Sequence, residues 1–200
     1  LLDEHEAKGP IVMESEPRPV YATKKVRTDS QNLFLAPASE SNLQATIHNG
    51  VSLMDIFMHL STKSHISGLL ESAAGKTKIS CWAMTKNSRS RYDSMLIGDL
   101  VLFTPKGSGK FSVTGKVIYK AESETLGREL WSVTPGLPWE LIYFLNEIKN
   151  VNIPKEKLVR ELGYSAGYVV PGIVRVDPSR LSRALEGKSS IADLLSDLEE

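Results

Sequence analysis

Residues 78–85 (KISCWAMT), 99–104 (DLVLFT) and 111–120 (FSVTGKVIYK) follow one another with turn residues between them, and this run decides the fold. Each stretch is rich in β-branched and aromatic residues and too short for a helix, so each reads as a strand. Lys106-Gly-Ser-Gly-Lys110 supplies a glycine-bearing hairpin between the second and the third. Residues 140–151 (ELIYFLNEIKNV) form a fourth, longer strand, and residues 168–176 a closing strand broken at Pro171-Gly172. Short strands at close spacing with few helices indicate a small barrel.

Around this run the spacing turns helical. Over residues 52–74, Leu53, Ile56, Phe57, Leu60, Ile66, Leu69 and Leu70 keep a helical period, with Ser52 as N-cap and Gly75 as stop; this is one helix, or two separated near Lys63. Residues 154–162 form a short helix that opens on proline and stops at Gly163. From Asp177 the tail, with Leu181, Leu185, Ile191, Leu194, Leu195 and Leu198, is helical and amphipathic. Residues 1–45 mix acidic, proline and serine-rich pieces with short apolar ones such as Asn32-Leu-Phe-Leu-Ala, the composition of a linker. The expected division is a partly extended lead-in over 1–50, a barrel domain with a leading helix over 51–176, and a helical segment over 177–200.

Two hundred residues, 41% hydrophobic and 24% charged, are enough for a real core and are neither disordered nor fibrous in composition. No apolar run approaches the roughly 18 residues that span a bilayer, and no charged region followed by an apolar one opens the chain. The expectation is an intracellular protein without a membrane role: cytoplasmic in a prokaryote, nuclear or cytoplasmic in a eukaryote. Cys81 is the single cysteine and the four histidines are scattered, so neither an internal disulfide nor a metal cluster is expected. The chain opens Leu-Leu-Asp without methionine, which suggests a piece of a longer protein. Gly75-Lys76-Thr77 is not a phosphate loop, because position 70 is leucine and the segment precedes a strand instead of following one. No nucleophile–base–acid set, paired carboxylates or nucleotide fingerprint stands out, so neither catalysis nor a cofactor is expected.

The net charge of zero hides an uneven spread. Residues 76–130 carry ten basic and five acidic side chains, whereas 1–75 carry six and nine, and 131–200 eight and ten. A locally basic middle attracts a phosphate backbone with moderate, salt-sensitive affinity. All three tryptophans, Trp82, Trp131 and Trp139, lie at or beside the strands of the second half. Tryptophan offers a flat face for stacking on a base, at about 1–3 kcal/mol per base, and for enclosing a methylated or cationic group. One tryptophan taken singly reads as core; three with basic and polar neighbours read as a pocket.

Taken in order, Trp82-Ala-Met-Thr85 with its polar basic loop, Gly98-Asp99-Leu-Val-Leu-Phe103, Lys106-Gly-Ser-Gly-Lys-Phe111, Gly115-Lys-Val117, Leu130-Trp-Ser132, and Pro138-Trp139 running into Leu141-Ile-Tyr-Phe144 and Val151-Asn-Ile-Pro154 resemble the YTH domain and its prokaryotic relatives, the EVE domains, of the PUA-like superfamily. The resemblance covers roughly residues 76–176. It implies an α+β fold, a PUA-like small β-barrel of about five or six strands flanked by helices, whose pocket receives one flipped, modified base. Carried over residue by residue, the enclosing aromatics are Trp82 and Trp131, with Trp139 as lid or third wall; the connection from Trp131 to Trp139 is longer than in typical YTH domains, so Trp139 has packing beneath its strand as an alternative place.

N-methylation removes one donor from an exocyclic amine and adds apolar surface, so a reader needs an aromatic enclosure and a few polar groups for the base edge. Asn87 and Ser88, or main-chain groups near Ser80 and Cys81, are candidates for that edge. Lys86, Arg89 and Arg91, directly after the first strand, are candidates for flanking phosphates. The expectation is a non-enzymatic module reading a modified base, such as N6-methyladenine, in nucleic acid, with DNA favoured over RNA. By analogy with EVE domains it would be the specificity domain of a modification-dependent restriction or defence protein whose nuclease or motor lies in another domain or subunit. The rival expectations are a methylated-RNA reader of YTH type and a protein-interaction scaffold using the amphipathic segments 52–74 and 178–198.

Overall fold

Strands β3 (Lys78–Met84), β4 (Leu100–Pro105), β5 (Lys110–Glu122) and β6 (Leu141–Pro154) form where the sequence predicts them, β6 running three residues further than expected. They belong to a computed structural model that describes residues 31–60, 62–131 and 138–200. With β1 (Leu33–Ala38) and the two-residue strands β2 (Val51–Ser52) and β7 (Val174–Arg175) they make one seven-stranded sheet of order β2-β3-β6-β5-β4-β1-β7. All contacts between neighbours are antiparallel except β1 with β4.

The sheet is rolled. In a flat sheet β3 and β4, separated by β6 and β5, would stand about 14 Å apart with side chains roughly perpendicular to it. Yet the rings of Trp82 on β3 and Phe103 on β4 meet at a centroid distance of 5.3 Å. The concave face gathers Phe34, Trp82, Phe103, Val113, Val117 and Tyr143 with their neighbours into one buried cluster. Register shifts between β5 and β6 accommodate the curvature, as bulges bend a strand and increase its twist.

The convex face is covered twice. Helices α2 (Leu53–His59), α3 (Lys63–Ala73) and α5 (Glu124–Leu130) bury Ile79, Cys81, Ile142 and Phe144. Helices α6 (Lys155–Glu161), α7 (Pro178–Ala184) and α8 (Ile191–Leu198) bury Leu33, Leu35, Leu102, Phe111 and Ile153. Two short helices complete the chain: α1 (Glu40–Asn42), continued by a π-helical segment Leu43–His48, and α4 (Arg89–Ser94), preceded by a 3-10 turn Lys86–Ser88.

Three expectations are corrected. The boundary at residue 50 does not mark where the sheet begins, because Leu33–Ala38 pairs with β4 along its whole length and is buried except at Pro37. The closing strand over 168–176 shrinks to Val174–Arg175, since Pro171 has no N–H to give a ladder. The tail from Asp177 is helical but not one continuous helix: it breaks at Gly187, in the left-handed region at φ 77°, and its two halves share a core with β1, β4, β5 and β6. The alternative of two helices within 52–74 is the one observed, α3 ending at Ala74 and Gly75, both left-handed. Residues 1–30 of the expected lead-in lie outside the described residues.

Gly127 illustrates how closely α5 is seated. A Cβ there would stand 2.2 Å from the carbonyl oxygen of Trp139. Alanine gains about 1 kcal/mol of helix propensity over glycine, but the overlap is with backbone, and overpacking costs about 1–3 kcal/mol or more. Gly127→Ala is therefore expected to lower the denaturation midpoint in a urea titration; an unchanged or raised midpoint would show that α5 is free to shift.

Candidate functional site

The C-terminal end of β3, the N-terminal end of β6 and the C-terminal end of β5 meet at one end of the rolled sheet: Met84 pairs with Leu141, and Leu141 with Glu122. Strand alternation turns Ser80, Trp82 and Met84 to one face and Ile79, Cys81 and Ala83 to the other. Trp82 thereby joins the concave core at 7% exposure. Trp131 caps the C-terminus of α5 and is 3% exposed. The two indoles touch edge to face, centroids 6.4 Å apart and planes inclined by 69°. In this arrangement they do not form parallel walls, so a flat ligand enclosed by both requires Trp131 to swing outward.

Trp139 is half-buried and packs with the convex-face cluster under α5. Its carbonyl faces Gly127, and the Ser123 N–H donates to the Glu140 carbonyl at 2.9 Å. The Ser123 hydroxyl also caps α5 by accepting from the Leu126 N–H at 3.1 Å. The connection that leaves at Trp131 thus returns beside the same helix, and the structure brings Trp82 and Trp131 together while seating Trp139 beneath. Residues 132–137 lie outside the described residues.

The basic residues are engaged more than their sequence suggests. Arg89 grips Glu122 with both guanidinium nitrogens, one bond measuring 2.8 Å, and Asp93 stands 3.8 Å away. That pairing holds the Glu122 carboxyl below the usual carboxylate range. Lys86 is exposed but reaches the buried carboxylate of Glu140 at 3.1 Å. Arg91 is exposed and makes no ion pair among the described residues. Asn87 is exposed in the 3-10 turn, and Ser88 is half-buried, its N–H donating to the Thr85 carbonyl at 2.9 Å. Ser80 uses its hydroxyl to donate to the Ile47 carbonyl at 2.7 Å, tying β3 to the π-helical segment. The Cys81 side chain faces the helices, and burial pushes its thiol up, out of any reactive range. What Ser80 and Cys81 offer a ligand is therefore main chain.

Four residues that the sequence did not single out shape this end. Tyr92 is buried with its hydroxyl donating to the carbonyl oxygens of Ala121 and Ile142, at 3.1 and 3.0 Å, and desolvation raises its pKa. Lys120 crosses the Tyr92 ring at 4.2 Å and donates to the carbonyls of Tyr92 and, at 2.8 Å, Met95; burial lowers its pKa. Together they cover the edge of β5 left open where β4 begins. Buried Asp99 accepts from the Asn32 N–H and side-chain amide at 3.0 Å and from the Leu96 N–H at 2.8 Å, locking β1 beside β4. Tyr143, directly across from Trp82 on β6, is fully buried, and its hydroxyl has no hydrogen-bond partner among the described residues.

Among the described residues no helix is long and apolar enough to cross a membrane, and no group of three or more His, Cys, Asp or Glu side chains stands close enough to hold a metal.

No family model matches the sequence, and no curated protein does. Solved structures do. The N-terminal domain of Thermococcus gammatolerans McrB bound to m5C DNA is similar over 78% of this chain and 96% of that one, with a TM-score of 0.57 and 15% identity. The YTH domain of Zygosaccharomyces rouxii MRB1 in complex with N6-methyladenosine RNA is similar over 82% and 93%, at TM-score 0.40 and 13% identity. Human THYN1 in complex with 5-methylcytosine-containing DNA is similar over 80% and 100%, at TM-score 0.41 and 13% identity. The likeness to the McrB domain shows the fold: this chain has the α+β fold of that domain.

An unpartnered buried hydroxyl costs about 1–3 kcal/mol of desolvation. Tyr143→Phe is therefore expected to leave the thermal midpoint unchanged or to raise it. A fall in the midpoint would mean that the hydroxyl has a stabilising partner.

Proposed function

We propose that this chain reads a single modified base extruded from nucleic acid, with DNA as the favoured substrate. The observation that carries this is the placement of Trp82 and Trp131 in ring contact at one end of a PUA-like barrel, a fold shared with a McrB domain solved on m5C DNA. Trp82 supplies the inner stacking face, and Trp131, at the mouth of the connection closed by Trp139, the movable wall. Main-chain groups of Ser80 and Cys81, with Asn87 and Ser88 at the rim, meet the base edge, and the Tyr143 hydroxyl beside Trp82 is a further donor. Arg91 meets a flanking phosphate directly, whereas Lys86 and Arg89 do so by exchanging Glu140 and Glu122 for phosphate oxygens. Extrusion costs a few kcal/mol, which stacking on tryptophan at about 1–3 kcal/mol and phosphate contacts offset. The module inspects and does not cut; in a modification-dependent restriction or defence protein, a nuclease or motor in another domain or subunit would act on its signal. The rival scaffold role has one observation in its favour, the exposed Met54 and Met58 one turn apart on α2.

Fluorescence anisotropy with matched oligonucleotides tests the proposal. Strands carry 5-methylcytosine, N6-methyladenine or no modification, each as DNA and as RNA. One modified strand is expected to bind about tenfold or more tighter than its unmodified counterpart, a preference that Trp131→Ala and Trp82→Phe remove while circular dichroism shows the fold retained. Equal binding to every strand, indifferent to both substitutions, would sink the cage; preference for a modified RNA would move the substrate to RNA.

Glu122→Gln separates the role of Arg89. Releasing the guanidinium and removing a negative charge is expected to tighten oligonucleotide binding at low salt and to steepen its salt dependence by about one phosphate contact. No change in either slope or affinity would place Arg89 away from the backbone.

A further inference from the structure

A second concave site lies away from the tryptophans, where β6 bulges against the end of α3. Between the pairs Thr114–Lys149 and Lys116–Asn146, both Glu147 and Ile148 stand opposite Gly115 alone. Beside the bulge lies a cavity of about 360 Å³ lined from Asn146–Ile148 to Ala74 and Lys76. That volume falls within the range of small-molecule sites, about 300–1,000 Å³.

The lining has three chemistries. Ile118 and Ile148, both half-buried, contribute apolar surface, with Ile79 and Leu145 behind them almost fully buried. Asn146 contributes a side-chain oxygen that is buried without a hydrogen-bond partner among the described residues. Lys76 and Lys78 stand exposed at the rim and make no ion pair among the described residues, whereas Glu147, the one acid of the lining, is paired with Lys116 at 3.2 Å. The rim is therefore positive. Two lining residues other than glycine, Ala74 and Glu147, are held in the left-handed region at φ 50°. Such strain costs about 1–3 kcal/mol per residue, persists only where the surroundings impose it, and gathers at ligand sites.

We infer that this cavity binds one nucleotide, its base between the isoleucine walls with an amine on the Asn146 side chain, and its phosphate on Lys76 and Lys78. Inorganic phosphate alone would leave the amide unpartnered, an aliphatic acid has no donor for it, and a sugar gains little from apolar walls. An asparagine side chain pairs with the adenine edge in two bonds, so adenine is preferred to thymine. The nucleotide comes either from the strand engaged at Trp82 or free from solution. Ser80, which lines the cavity, lies two residues before Trp82, about 6.6 Å along the strand. The strand-borne case rests on the proposed reader function; the site itself does not.

The test is a titration of the full ¹⁵N-labelled chain, followed by two-dimensional NMR, with dAMP, TMP, inorganic phosphate and an unmodified adenine-containing oligonucleotide. dAMP is expected to shift Ile79, Ile148 and the Asn146 side-chain amide, about tenfold more tightly than TMP. Lys76→Ala with Lys78→Ala, both at the surface, is expected to weaken dAMP about tenfold; Asn146→Leu is expected to abolish the preference over TMP. The same shifts with the oligonucleotide identify a strand nucleotide, and shifts with dAMP alone a free one. No shifts at these residues with dAMP or oligonucleotide, or equal responses to dAMP, TMP and phosphate, overturn the site. Trp82→Phe is expected to leave the dAMP shifts intact; in the unsubstituted chain, an absence of modified-base discrimination with these shifts present would sink the reader alone, and discrimination without these shifts would sink the cavity alone.

Discussion

Five consecutive residues of β6, Leu141–Leu145, are buried, and the rest of the structure follows from that constraint. A strand covered on one face alternates apolar and polar residues; one without alternation has to be covered on both. β6 meets this demand by pairing with β3 on one side and β5 on the other, turning Leu141, Tyr143 and Leu145 to the concave core and Ile142 and Phe144 to the helices. Rolling the sheet lets the concave face be covered by the sheet itself. The same roll carries Trp82 onto Phe103, and α5, folded against the return of the chain into β6, adds Trp131.

What was legible from the sequence is the part governed by local pattern. Strands β3 to β6 announce themselves by runs of β-branched and aromatic residues with turn glycines between them, and the glycines at 107 and 109 do adopt the left-handed backbone that the hairpin needs. β1 is equally apolar, but it follows an acidic, proline-rich stretch and ends near Pro37; its only structural signal is the absence of alternation, which a linker with apolar pieces shares. α4 and α5 have six and seven residues, too few for a helical period to show. For α5 a cap signal exists, Ser123 followed by Glu124 in the first turn.

Sequence order anticipates where the aromatics fall and not what the charges pair with. Trp82 and Trp131 are distant in sequence yet in ring contact. The basic run Lys86, Arg89, Arg91 looks uncommitted in one dimension, because its partners Glu122 and Glu140 come from the far ends of β5 and the loop before β6. The exposed Arg89–Glu122 pair contributes little to stability, at most about 1 kcal/mol, whereas Lys86 neutralises a carboxylate that is itself buried. Each carboxylate also lowers the net positive charge that its cation presents at the surface. The positive middle of the sequence is thus less positive in space than composition suggests, while Lys76 and Lys78, which make no ion pair among the described residues, stand near the bulge of β6.

The edge-to-face contact of Trp82 and Trp131 has an optical side. Two indoles 6.4 Å apart, inclined by 69° and fixed in a chiral frame, couple their transition dipoles, so their absorption bands split into a signed pair in circular dichroism. Drawing the rings apart dissolves that coupling, whereas local unfolding elsewhere in the barrel leaves it intact. The chain therefore carries, at the proposed site, an intrinsic reporter of whether the two indoles are in contact.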